Sequence, residues 1–250
     1  MKAFDKYSSF YNIMYQDKDY VKEADYIDKI IRHYQPSTKS ILDLGCGTGQ
    51  HAKLLVQKGY KVHGVDTSKT MIEEAKRIES HPSLWFSIGD VRAIQLKESF
   101  DVVISLFHVI SYQTGNDDLQ KVFSTAYNHL KDGGLFIFDC WYGPAVLTER
   151  PTDRIKIVEN NDYKIIRSAN PVMYANENVV KVIYHFFILD TQNKIMEEFE
   201  ESHFMRYLFK PELEMLLNKT GFTLLRTTEF LTDKELDYTT WSACFIAKKK

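Results

Sequence analysis

The 250-residue chain has almost no surplus of charge, with 32 basic residues against 34 acidic ones and a net charge of −2. No global field therefore draws it to phosphate polymers or anionic lipid, and a nucleic-acid role would need a local patch. The one basic cluster, Lys248 to Lys250, is a C-terminal run of the kind that usually frays into solvent. Cysteine is scarce as well. Cys46, Cys140 and Cys244 are odd in number, far apart and at no metal-ligand spacing, which argues against a disulfide framework and reads as three reduced thiols. Nowhere do about 18 apolar residues run together, and the opening Met1-Lys2-Ala3-Phe4-Asp5 has neither a secretory apolar core nor an Arg-rich amphipathic pattern. No repeat or low-complexity segment is found. No histidine–acid pair has metal-ligand spacing, so no metal is expected. What these absences leave is an expectation of a soluble, cytoplasmic protein with no nucleic-acid partner and no membrane.

What is present is a 44% hydrophobic content, enough for one large core with a small appended sheet. Val21, Ala24, Ile27, Ile30, Ile31 and Tyr34 have the spacing of an amphipathic helix over 19–34, closed by Pro36. From there strands and helices alternate: strand 41–44, helix 50–58 stopped by Gly59, strand 61–66, helix 68–79, strands 84–88 and 100–106, helix 116–131, strand 135–139. Such alternation predicts a parallel sheet with helices on both faces, and apolar runs such as Val102-Val103-Ile104 and Leu135-Phe136-Ile137-Phe138 suit strands buried on both sides. After Pro151 the texture changes to β-rich runs at 155–158, 164–168, 179–189 and 195–206, joined by polar turns, which predicts an antiparallel sheet inserted between core elements. A helix opened by Pro211 and ended by Gly221, and strands 222–225 and 241–247, complete the core.

The strongest chemical signal is Asp43-Leu44-Gly45-Cys46-Gly47-Thr48-Gly49, a strand passing through three glycines into a helix. Glycines there permit a tight turn and let backbone N–H groups at the helix start approach a ligand. Asp66 ends the second strand and Gly89-Asp90 the third, both on the edge of the sheet where open α/β folds bind ligands. Asp43, Asp66 and Asp90 are thus expected to point into one crevice sized for an adenosine. A nicotinamide dehydrogenase is disfavoured, because its fingerprint needs the third glycine one place later, where this chain has Gln50.

These residues resemble the class I S-adenosylmethionine-dependent methyltransferases over about residues 37–142. The resemblance implies a doubly wound, Rossmann-like α/β fold with a seven-stranded, mostly parallel sheet, formed by residues 1–150 and 207–250, and an antiparallel sheet of residues 151–206 over the acceptor site. It implies that S-adenosylmethionine is held by Asp43, Gly45, Gly47, Asp66, Thr67, Asp90, Val91 and Leu106, with Tyr20 near the methionine carboxylate, and that S-adenosylhomocysteine is the product. A closer likeness covers most of the chain. Tyr11-Asn12, Lys18-Asp19-Tyr20, Phe100-Asp101-Val102-Val103-Ile104-Ser105-Leu106-Phe107, Tyr112, His129-Leu130-Lys131-Asp132-Gly133-Gly134, Trp141 and Ser202-His203-Phe204 are similar to the N-methyltransferases of nucleotide-linked amino-deoxysugars. Where that group tends to read Glu-Pro-Trp-Trp, this chain has Asp139-Cys140-Trp141-Tyr142, a departure that bears on the acceptor.

Methyl transfer from a sulfonium needs approach and exclusion of water more than a strong base. The resemblance places Tyr112 beside an acceptor amine; Tyr11 and His108 are the other catalytic candidates, each with plain packing as its competing reading. Trp141 and Tyr142 offer flat surfaces for substrate; His185 and His203 read as sheet residues. Ser105-Leu106-Phe107-His108 lacks the Pro-Pro-aromatic pattern of base-methylating enzymes, which favours a tetrahedral amine or a hydroxyl. The expected activity is N-methylation of a nucleotide-linked amino sugar, by a chain that forms a homodimer through the inserted sheet. Its rivals are methylation of another small-molecule nitrogen or oxygen, and a cofactor-binding protein without turnover.

Overall fold

The computed structural model describes residues 10–77 and 81–250. A short helix α1 (Tyr11–Met14) precedes α2 (Tyr20–Tyr34), whose start is fixed by the Asp19 carboxylate accepting the Lys22 N–H at 2.9 Å. Strand and helix then alternate as β1 (Ser40–Leu44), α3 (Gln50–Gln57), β2 (Lys61–Asp66), α4 (Lys69–Arg77), β3 (Leu84–Ile88), β4 (Phe100–Ser105), α5 (Asn116–His129) and β5 (Leu130–Trp141). The helix expected over 68–79 has its last two residues outside the described residues. The final core elements are α7 (Lys210–Thr220), β10 (Phe222–Glu229) and β11 (Ser242–Lys249), after a helix α6 (Gly143–Glu149) that sequence reading passed over.

The seven core strands run in the order β10-β11-β5-β4-β1-β2-β3, parallel except for β11, which opposes both its neighbours. Side chains alternate between two buried layers. Leu42, Val103, Phe136, Phe138 and Phe245 pack against α5 and α7, while Ile41, Val102, Ile104, Leu135 and Ile137 pack against α2, α3 and α4. Each fully buried side chain of this size contributes about 1.5–3 kcal/mol, and the continuous apolar strands follow from burial on both faces. Strand order reverses between β1 and β4, so the crevice opens where their carboxyl ends diverge.

The inserted segment is a four-stranded antiparallel meander: β6 (Arg154–Glu159), β7 (Lys164–Tyr174), β8 (Val179–Leu189) and β9 (Ile195–Arg206). Its inner face places Ile165, Phe186 and Phe199 against Tyr11 and Met14 of α1 and Met71 of α4, which lays the sheet over the crevice end of the core.

Three element boundaries differ from expectation by more than two residues, each for a local reason. Strand β7 runs past Ser168 to Tyr174 and through Pro171; β6 pairs with it only as far as Ala169, so Pro171 lies where one side is an edge and its missing N–H costs nothing. Strand β10 extends to Glu229 because a bulge between Leu224 and Arg226 breaks the alternation that would have announced it. Strand β5 begins at Leu130, not Leu135, with Gly133 at φ 73° inside it, so the glycine pair lies within the strand and not ahead of it.

Candidate active site

The crevice is a cleft of about 560 Å³ roofed by α1, the inserted sheet and the segment leading into α2. Its floor is the turn from β1 to α3. Gly45 there has φ 85°, and a Cβ on it would stand 2.5 Å from a Val109 methyl, so the position admits no side chain. Gly47 has φ 54°, but a Cβ on it would meet nothing within 4 Å, because this glycine faces the open cleft. Backbone can therefore approach a ligand there directly.

Asp66, at the end of β2, accepts the N–H of Gly47 at 3.0 Å and of Ser68 at 2.8 Å. Burial raises its carboxyl above the ordinary range, and those backbone N–H groups act in the opposite sense. The turn and the acid are thus one unit, with a carboxylate edge left on the cleft wall. Asp90 lies farther along, clasped by Arg92 through contacts of 2.6 to 3.1 Å; this pairing holds it below the usual carboxylate range. Arg92 also reaches Asp118 at 3.1 Å. Thr67, Val91 and Leu106 complete this half of the lining.

Asp43 departs from expectation. It is 2% exposed, lies beneath the glycine turn and does not line the cleft. Its Oδ2 has no hydrogen-bond partner among the described residues, and burial, with the charge of Asp66, pushes its carboxyl up to about 7. A buried acceptor behind N–H-rich backbone fits the back wall of a site for a cationic or N–H-bearing ligand better than a contact residue.

After β4 the chain takes a strained course: Phe107 at φ 62° and His108 at φ 64° are consecutive left-handed residues without being glycine. Asp139 in β5 holds them there. Its Oδ1 accepts the His108 N–H at 3.0 Å, and its Oδ2 lies 2.7 Å from His108 Nδ1. Burial works against the Asp139 charge, but His108 and Ser242 outweigh it and keep the carboxyl below its ordinary value. The strain thus presents Phe107, His108 and Val109 to the cleft. Tyr112, in the 3₁₀ turn that follows, is half-buried and lines the same space, and Trp141 stands beside His108.

The roof is aromatic. Tyr11 packs on Tyr15, Tyr15 meets Phe107 edge-on at 5.1 Å, and Tyr20 contacts His51. Lys18 lies over the Tyr20 and Phe107 rings and pairs with Glu23, which also bonds His51 at 2.6 Å. Burial lowers the Lys18 ammonium.

Of the fourteen residues singled out from sequence, twelve line this one cleft: Tyr11, Tyr20, Gly45, Gly47, Asp66, Thr67, Asp90, Val91, Leu106, His108, Tyr112 and Trp141. Asp43 and Tyr142 do not. Tyr142 turns away into the core beside Leu208 and Ala243, its N–H bonded to the Trp241 carbonyl, because the pleat of β5, carried one residue past Trp141 by a bridge to Leu208, sends neighbours to opposite sides. Sequence reading missed Tyr184, His203 and Met205, which the inserted sheet contributes to the cleft. A signal existed: in β9 Phe199, Glu201, His203 and Met205 alternate with period two, which puts an acid and an imidazole on the apolar face.

Comparison with known proteins agrees with this geometry. Residues 41–134 match the methyltransferase domain family. Among curated relatives, the dTDP-3-amino-3,4,6-trideoxy-alpha-D-glucopyranose N,N-dimethyltransferase of Streptomyces venezuelae is 25% identical over 87% of this chain and 88% of its own length. A putative methyltransferase of Geobacillus sp. (strain WCH70) is 26% identical over 99% of this chain and 100% of its own length. The crystal structure of an S-adenosylmethionine-dependent methyltransferase from Clostridium acetobutylicum ATCC 824 shares the fold at a TM-score of 0.83 and 23% identity, covering 98% of each chain. A glycine turn opening onto a cleft, an acid fixed to that turn and the matching family around both agree on one finding: residues 41–134 carry a methyltransferase domain.

Proposed function

We propose that the protein N-methylates the amino group of a nucleotide-linked amino-deoxysugar. The observation that carries this reading is the composition of the acceptor half of the cleft, where Tyr112, His108, Tyr184, His203 and Trp141 gather with hydroxyl, imidazole and indole groups. Such a wall suits a polar, ring-shaped substrate whose nitrogen needs orienting. The relative from Streptomyces venezuelae aligns through this inserted sheet as well as the core, which supports the same reading.

In this proposal residues 1–150 and 207–250 hold the cofactor and residues 151–206 cover the acceptor. S-adenosylmethionine supplies an already activated methyl group. The backbone of Gly45 and Gly47 and the side chain of Tyr20 would hold its amino-acid portion, Asp66 would accept from the ribose hydroxyls, and Asp90, Val91 and Leu106 would border the base. Tyr112 orients the acceptor nitrogen, with Tyr11 and His108 flanking it, and the aromatic roof excludes water. Trp141 stacks against the sugar or its nucleotide.

The outer face of the inserted sheet exposes Ile155, Ile157, Val172, Met196 and Phe204, with Ile155 72% accessible. We assign this patch to a homodimer contact; sedimentation of the chain as a monomer at micromolar concentration would rule it out. Among the described residues no helix is long and apolar enough to cross a membrane. The three cysteines are buried and free, which is in keeping with a proposed cytoplasmic location.

The experiment is a mass-spectrometric assay of S-adenosylhomocysteine and of the methylated acceptor. Turnover is expected with dTDP-3-amino-3,4,6-trideoxy-α-D-glucopyranose or a related amino sugar nucleotide. Turnover on free amino acids, phenols or acyl-carrier thioesters without any on sugar nucleotides would overturn the assignment.

A further inference from the structure

Strand β9 buries Phe199 and Met205 on its inner side, and between them it turns Glu201 and His203 inward, 1% and 2% exposed. An acid and an imidazole so deep are costly unless their polar atoms are partnered. Here the partners form a line. Glu201 Oε2 lies 3.4 Å from His203 Nε2, and His203 Nδ1 lies 2.8 Å from the Tyr112 hydroxyl. Tyr112 and His203 both border the cleft, whereas Glu201 does not. The line therefore runs from the proposed acceptor site into the sealed interior of the inserted sheet, and it is assembled from two separate parts of the chain. The other groups around it are the Tyr184 ring, 5.0 Å from the His203 ring, with Arg167 over its own face, and Tyr15 and Asp66, whose charges bear on Tyr112.

We propose that Tyr112, His203 and Glu201 form a proton relay that converts an acceptor ammonium group into the free amine before methyl transfer. This rests on the amine-acceptor reading above. In the step, an N–H bond of the ammonium breaks and its electron pair stays on nitrogen as the lone pair. The proton goes to the Tyr112 oxygen while the Tyr112 hydroxyl proton passes to His203 Nδ1, leaving an imidazolium paired with the Glu201 carboxylate. No phenolate forms, as the site demands, since burial raises the Tyr112 hydroxyl well above the ordinary phenol range. The proton returns to water by the same route when product leaves the cleft. Tyr112 touches the acceptor; His203 and Glu201 are positioning residues that act through it.

The test pairs a spectroscopic with a kinetic readout on the full chain. With S-adenosylhomocysteine bound, ¹⁵N-histidine NMR is expected to show neutral His203 as the Nε2–H tautomer, its Nδ1 accepting from Tyr112. A ring carrying its proton on Nδ1 would overturn the relay whatever the acceptor proves to be. In kinetics with dTDP-3-amino-3,4,6-trideoxy-α-D-glucopyranose, H203N is expected to lose roughly 100-fold in kcat/KM at about pH 6.5 but less than ~5-fold at about pH 9, where the acceptor is already free amine. S-adenosylhomocysteine affinity should stay within about twofold of the parent. E201Q, nearly isosteric, should follow the same pattern and carries the kinetic test where H203N does not fold. A deficit equal at every pH means a structural role and overturns the relay. Wild-type inactivity on the sugar nucleotide with turnover on another amine refutes the sugar reading alone, and the pH comparison then runs on that amine. Turnover confined to hydroxyl or carboxyl acceptors, or none at all, overturns the relay as well.

Discussion

The core rim and the inserted sheet face each other across one cleft, and they are built by opposite rules. At the core rim the backbone makes the site: a left-handed glycine turn, N–H groups aimed at Asp66, and two strained residues pinned by Asp139. In the inserted sheet the backbone is regular and the side chains make the site, through Tyr184, His203 and Met205 projecting from ordinary strands. A backbone-made site cannot vary without refolding, which suits a ligand shared by many enzymes. A side-chain-made site can change its acceptor by substitution alone.

That contrast breaks most visibly at Gly45. Gly45→Val places a branched side chain into Val109 at a positive φ, and equilibrium denaturation is expected to register a loss of about 2–5 kcal/mol. A variant as stable as the parent would mean that the turn is not the rigid element described. Trp141→Ala, in the half of the cleft proposed for the acceptor, should instead leave stability and cofactor affinity nearly intact and raise the acceptor KM by roughly tenfold, as loss of a large aromatic contact does. Equal losses in cofactor and acceptor binding would dissolve the division between the two halves.

Asp43 sharpens the comparison through pH. Its carboxyl is at about 7 in the folded chain against an ordinary 3.8, so the folded state binds the proton more tightly. The favourable contribution is fully present below 3.8 and is lost as pH rises through about 7. Thermal melts of the cofactor-free protein should therefore fall in midpoint across this window, and Asp43→Asn should flatten the fall; an unchanged profile would place the titration elsewhere. The smallest effect is expected at Tyr142→Phe, whose ring is core packing: kcat and both KM values should move less than about twofold. A selective rise in acceptor KM would return Tyr142 to the substrate wall.

The same contrast decides what was legible in sequence. Alternating strands and helices, the three-glycine turn and the strand-end acids are periodic or positional signals, and they located the core sheet and most of the cleft's core rim. Asp43 and Tyr142 were misplaced because proximity along a strand was taken for proximity in space: one rotates beneath the turn, and the other is sent to the opposite face by the pleat. His203 was read as a sheet residue, which it is; its place on the cleft and its line to Glu201 went unread because the inward register of a strand is known only once the strand is paired. The bulge in β10 and the proline in β7 hid strand ends for the same kind of reason, since each breaks a local rule that only the neighbouring strand makes permissible.

The division of labour across the cleft is tested most directly by calorimetric titration of S-adenosylhomocysteine into Asp66→Ala and Tyr112→Phe beside the parent. Asp66→Ala should weaken binding by about 1–3 kcal/mol, the loss of a charge-assisted acceptor, while Tyr112→Phe binds as the parent does and loses turnover instead. Unchanged affinity in the first variant, or matching losses in both, would contradict it.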